Sequence, residues 1–179
     1  MLAYPWHMKA AFALFLVAVG VSSGQTSAPT PNRRFEISGA AGYGRHTGEE
    51  GGKAGVSAFG ASLGWRSRSI HGLECGYLYA DMKRGTRRYR LVSMSYVVQS
   101  RSEPVRPFFQ IGVSAGTEKL GPFATGRTFT NSLGGAFVAG GVTVDVRESF
   151  FIRPKLSYYV IMGGFSTLIV PSLAAGWKF

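Results

Sequence analysis

The chain has 179 residues, a formal charge of +11, 25 glycines and 13 phenylalanines, yet only 16% of its residues are charged. That length allows one domain, and the richness in glycine, serine and aromatics favours strands and turns over helices. Cys75 is the single cysteine, which excludes an intramolecular disulfide and a thiolate metal site, and it lies too far from the N-terminus to be a lipoprotein anchor.

Residues 1–24 read as a secretory signal peptide. His7 and Lys9 make a short basic region, Ala10 to Val21 an uncharged apolar run, and Ser22, Ser23 and Gly24 a small-residue cleavage region before Gln25. A membrane-spanning helix needs ~20 apolar residues, which this run does not supply. Residues 25–33, with Pro29 and Pro31, read as a disordered lead-in. The structured domain is then 34–179.

Eight alternating segments follow. Strand one is Phe35–Gly44, with Phe35, Ile37, Gly39, Ala41 and Tyr43 on one face and Glu36, Ser38, Ala40 and Gly42 on the other. A polar loop to Lys53 leads to strand two, Ala54–Trp65, with Phe59, Ala61, Leu63 and Trp65 on its apolar face. After a turn at Arg66–His71, strand three is Gly72–Ala80, where Leu73, Cys75, Tyr77 and Tyr79 alternate with Glu74, Gly76 and Leu78. The basic loop Asp81–Arg88 precedes strand four, Tyr89–Gln99.

Strand five is Pro107–Gly116, with Phe109, Ile111, Val113 and Ala115 opposite Gln110, Gly112 and Ser114. Thr117–Leu133 reads as the longest loop. Strand six is Gly134–Val146, strand seven is Phe150–Ile161, and strand eight is Leu168–Phe179. Pro154 and Pro171 oppose strand formation, because proline cannot donate to a ladder. Each is expected near a strand end, where a bulge or frayed pairing absorbs it.

In the last strand Ile169, Pro171, Leu173, Ala175, Trp177 and Phe179 form one apolar face. A buried strand at the end of a soluble β-domain is one reading. The other is a strand whose greasy face meets lipid, with aromatics at the interface. This stretch resembles the C-terminal assembly signal of bacterial outer-membrane β-barrels, with Ser172, Trp177 and Phe179 in the polar and aromatic places and Ala174 where glycine is usual. Over Phe35–Phe179 the chain is similar to the small OmpA/OmpX-like barrels. The fold expected is therefore all-β: an eight-stranded antiparallel up-and-down transmembrane β-barrel after a signal peptide. An even strand count suits bacterial barrels. Phe35, Trp65, Phe109, Trp177 and Phe179 would form a periplasmic girdle, and Tyr43, Tyr77 and Tyr79 an outer one.

The inward positions carry Glu36, Glu74 and Asp145 against Arg153, Lys155 and Lys178. One reading is a lumen ion-pair network, with Glu36 meeting Lys178 and Asp145 meeting Arg153, because charges taken from water need partners. The other is that they merely solvate a wet lumen. The interior of an ~8-stranded barrel is just wide enough for side chains to fill, so a plugged lumen opposes a general diffusion pore.

No catalytic constellation stands out. His46 is placed in an outer loop and His71 in a periplasmic turn, neither beside an inward serine or aspartate. His46 with Glu49 and Glu50 is too loosely spaced for a metal site, and no cofactor motif is present. The basic cluster Lys83, Arg84, Arg87 and Arg88, with Arg90, suits lipopolysaccharide phosphates, or is ordinary solvated loop charge. Net charge alone would suit nucleic acid, but export and the scatter of the basic residues argue against it.

The resemblance implies outer-membrane residence, insertion by the barrel assembly machinery, a monomer, no enzyme activity, and a structural or surface-interaction role. A narrow channel, a lipid-modifying barrel enzyme and a secreted soluble ligand-binding β-barrel are the competing readings.

Overall fold

In the computed structural model, the described residues are 35–48, 53–67, 70–82, 87–101, 104–121, 128–162 and 166–179. The signal peptide, the lead-in, Lys83 and Arg84 lie outside them. Eight antiparallel strands run in chain order: β1 Phe35–Thr47, β2 Lys53–Arg66, β3 His71–Met82, β4 Arg87–Gln99, β5 Val105–Leu120, β6 Phe129–Asp145, β7 Phe150–Met162 and β8 Ser166–Lys178. Each pairs with its neighbours, and β1 pairs with β8, so the sheet is a closed barrel without a free edge along its wall.

Closure comes from the ends of the chain. Phe35 and Phe179 exchange both backbone hydrogen bonds, at 3.0 and 2.9 Å, and their rings stack at 6.1 Å. Phe150 packs edge-on against Trp177 at 4.9 Å, so the girdle at the terminal end is made of touching rings. The first described residue of the barrel, Phe35, and the last, Phe179, therefore lie at one mouth, with the turns β2–β3, β4–β5 and β6–β7.

The period of two decides the wall. Ile111, Val113, Met94, Leu63 and Leu173 all face outward and are 52–64% exposed. Val142 is half-exposed on the same surface. An apolar belt of this extent on the outside of a closed barrel has one physical use, contact with hydrocarbon. Cys75 is part of that belt.

Pro154 and Pro171 sit where the ladders skip. The β6–β7 register passes from Gly141↔Lys155 to Val144↔Ile152, and the β1–β8 register passes from Gly42↔Ser172 to Arg45↔Ile169. Each proline is still paired along β7–β8, so each turns its missing N–H toward the interrupted side. Glycine stands opposite both breaks. A Cβ on Gly141 would lie 2.2 Å from the Pro154 carbonyl oxygen, and one on Gly44 would lie 2.0 Å from that of Ile169.

Most strands run longer than expected, and two of the extensions change the reading of the site. β1 continues to Thr47, which turns His46 into a strand residue facing the lumen. The expected Thr117–Leu133 loop is largely strand, because β5 runs to Leu120 and β6 starts at Phe129. Thr117, Lys119, Thr130 and Ser132 have no greasy face, so the alternation used to find strands vanishes there while the pairing continues. The β5–β6 hairpin extends beyond the belt.

Leu173 lies midway along the outward face of β8. Leu173→Arg is expected to cost about 2–4 kcal/mol of folding stability in lipid vesicles, measured by urea titration. An unchanged midpoint would mean that this face does not meet hydrocarbon.

Candidate functional site

The lumen carries the chemistry, and it is filled in two layers. The layer nearer the termini is ionic. Arg153, from β7, crosses the barrel: its Nη2 meets Glu36 Oε2 at 2.6 Å and its Nη1 meets Glu74 Oε2 at 3.1 Å. Arg66 Nη2 reaches the same two carboxylates at 2.9 and 3.0 Å. These four charges close a neutral quartet.

Neutral neighbours complete it. Arg153 Nε donates to Thr143 Oγ1 at 2.9 Å, and Gln110 Nε2 donates to Glu74 Oε1 at 3.2 Å and to Ser95 Oγ at 2.6 Å. The Arg153 guanidinium also lies over the rings of Phe108 and Phe151, at 5.3 and 4.7 Å. The side chains of Glu36 and Arg153 are each only 4% exposed. A buried charge pair tolerates such desolvation only when its remaining donors and acceptors are met.

The expected network therefore exists with different pairings. Glu36 and Lys178 are register partners, but Lys178 Nζ binds Asp145 Oδ1 at 2.5 Å. Arg106 Nη2 binds that same oxygen at 2.8 Å. Asp145 does not meet Arg153, whose carboxylate partners lie across the lumen on β1 and β3. The reason is reach: adjacency along one hairpin favours Asp145, but the long arginine side chain can span the narrow barrel to two carboxylates. Lys155 joins neither cluster. Arg66 and Arg106 were read as turn residues and hence missed. Each ends or opens a strand on the inward parity, two residues from Gly64 and Phe108, and that parity was the available signal.

The second layer is apolar. Val56, Ala58, Ala80, Met82, Leu91, Phe137, Tyr159, Ile161, Leu168 and Val170 pack together inside the far half. Phe137 and Tyr159 stack at 5.0 Å across β6 and β7. The sequence reading places Leu78 on an inward face but draws no apolar layer from it. The signal it passed over is a strand greasy on both faces, as in Leu168–Ile169–Val170.

Above this packing a third polar group closes the far mouth. Tyr89 Oη and His46 Nε2 are 2.9 Å apart, and Arg87 Nε binds Glu118 Oε1 at 3.0 Å. Arg87 therefore turns inward and leaves the expected surface cluster. Arg88 stays outward, 3.4 Å from Asp81. His71, the first residue of β3, lies beside Tyr96. Among the described residues no group of three metal-ligating side chains converges.

Ser172 lines the lumen, while Trp177 and Phe179 face outward. The C-terminal motif is thus split between the two surfaces of the wall.

No family model matches the sequence, and no curated protein matches it. Solved structures do. Neisserial surface protein A superposes with a TM-score of 0.72 at 15% identity, covering 81% of this chain and 97% of that one. This is the fold of the small outer-membrane β-barrels. Ail, the attachment invasion locus protein of Yersinia pestis, gives 0.61 at 14% identity over 82% of this chain and 99% of its own. The N-terminal β-barrel domain of Pseudomonas aeruginosa OprF gives 0.60 at 15% identity over 82% and 98%. The outer-membrane barrel fold is thus reached by a sequence of low identity to each, as expected where alternation rather than residue identity specifies the wall.

Arg153→Met would strand two buried carboxylates with one remaining cation. It is expected to cost about 3–5 kcal/mol by equilibrium unfolding, against a smaller loss for Lys178→Met at the mouth. Equal, negligible effects would mean that the quartet stabilises nothing.

Proposed function

We propose that this chain is an exported outer-membrane protein whose barrel is a closed anchor for surface interaction, and neither a pore nor an enzyme. The observation that carries this reading is the doubly filled lumen inside a lipid-facing wall. An ion crossing it would have to break the quartet and then part the Phe137–Tyr159 packing. With both termini at the periplasmic mouth, the far ends of the strands face outward from the cell. The soluble ligand-binding alternative is opposed by the wall, since its greasy face points away from the lumen. The non-enzyme reading draws support from the company of the histidines: His46 pairs with Tyr89 inside the far mouth, and His71 lies beside Tyr96.

The outer rim supports a partner of phosphate chemistry, lipopolysaccharide. Arg88 and Arg90 project outward from β4, and Lys119 stands directly across from Arg88 on β5. Like charges opposed on one face repel, and a headgroup phosphate between them offsets that repulsion. Val92, Met94 and Val113 lie beneath, where acyl chains would run. Lys83 and Arg84, in the adjoining connector, extend the same proposal. Ser172, Trp177 and Phe179 are proposed to engage the barrel assembly machinery during insertion, and the closed wall suits a monomer.

Two measurements test this. Single-channel recording of refolded protein is expected to show no steady conductance; a stable open level altered by Arg153→Met would establish the narrow-channel reading instead. Replacing Arg88, Arg90 and Lys119 together by serine is expected to cut co-purifying lipopolysaccharide several-fold. Unchanged retention would remove the proposed headgroup contact.

A further inference from the structure

Between the ionic layer and the apolar layer the lumen is not solid. A chamber of about 40 Å³ remains at mid-barrel, and its polar lining includes Ser38, Ser62, Ser93, Ser157, Ser172 and Lys155. Gly60 and Gly76 in its wall keep the space open. That volume suits a few waters, or one ion not much larger than a water; it does not suit an organic ligand.

The chamber has an unbalanced charge. Below it, Glu36 and Glu74 are matched by Arg66 and Arg153. At the two mouths Asp145 is held by Arg106 and Lys178, and Glu118 by Arg87. Among the described residues, Lys155 has no carboxylate oxygen within ion-pair distance. Glu74, which shares the chamber, is already engaged by Arg66, Arg153 and Gln110.

An ammonium carries three donors and no acceptor. Held near a carboxylate that is already engaged by two arginines, it keeps part of its desolvation penalty. The hydroxyls around it can supply further donors. Ser172 stands directly across from Lys155 on β8. Ser38 and Ser62 share one hydrogen bond, 2.8 Å between their oxygens, so one of their two hydrogens is left for a third group. A surplus cation beside hydroxyls with hydrogens to spare is the chemistry of an anion site.

We propose that the mid-lumen chamber binds a small monovalent inorganic anion of the halide class, held by Lys155 Nζ and the surrounding serine hydroxyls. The anion neutralises the surplus cation and occupies the gap between the two filled layers. The inference depends on the lumen alone and is independent of what the outer rim binds.

The probe is chloride or bromide exchanged for gluconate at constant ionic strength, with the protein refolded in detergent micelles. A ligand that binds only the folded state raises its melting temperature. The wild type is expected to gain several degrees in halide, Lys155→Arg to keep that gain, and Lys155→Met to lose it while melting at least as high as the wild type in gluconate. A gain of equal size in Lys155→Met, or none in the wild type, would overturn the proposal. Should Lys155→Met fail to fold, anomalous diffraction from wild-type crystals soaked in bromide decides. A peak within hydrogen-bond reach of Lys155 Nζ supports the site, and water alone at that position refutes it.

Discussion

A chain that crosses hydrocarbon must satisfy its backbone N–H and C=O groups from within itself, since lipid offers no partner. In this protein the β1–β8 seam meets that requirement, because it converts a meander with two open edges into a cylinder. The seam depends on the very ends of the barrel sequence, where Phe35 and Phe179 lock by two backbone bonds and a ring stack. Once the seam is made, every side chain has only two destinations. Those on one parity meet lipid, and those on the other fill a narrow lumen.

Confinement then explains the interior. An eight-stranded cylinder cannot hold much water, so polar side chains that enter it must pair with each other. The inward residues sort by chemistry along the axis. Glu36, Glu74, Arg66 and Arg153, with their amide, hydroxyl and ring neighbours, gather toward the terminal mouth; an apolar cluster with Phe137 and Tyr159 fills the far half, and Arg87, Glu118 and His46 cap it. Arg153 does most of the joining, because a planar guanidinium can serve two carboxylates, a hydroxyl and two aromatic faces at once. Lysine has no such fork, which is one reason Lys178 binds a single carboxylate and Lys155 binds none. The irregularities of the wall follow the same economy. Prolines are placed where a ladder already skips, with glycine opposite, so the wall keeps its closure while two donors are missing.

Several departures from the sequence reading share one cause. Alternation reports which surface a residue faces only while the two surfaces differ in polarity. Along Thr117–Lys119 and Thr130–Ser132 both faces carry polar side chains, so the β5–β6 hairpin was hidden in an apparent loop. Along Leu168–Val170 both faces are apolar, and the packed far half of the lumen went unnoticed. At Arg66, Arg87 and Arg106 the strand ends carry charges that resemble turn residues, although each points inward to a carboxylate.

The amino-acid order by itself determined the strand count, the parity of nearly every segment, the aromatic residues at the terminal mouth and the outward course of Leu173 and Ile111. These are local matters: a period of two survives in any sheet, and a residue's parity does not depend on its partner. It also placed Glu36, Glu74 and Arg153 on the same inner surface. Which of those charges touch was decided only by tertiary structure, because that depends on register and curvature summed around eight strands, and on the reach of long side chains across the lumen. Parity assigns Lys155 to the interior. Only the closed barrel shows that the carboxylates there are already taken.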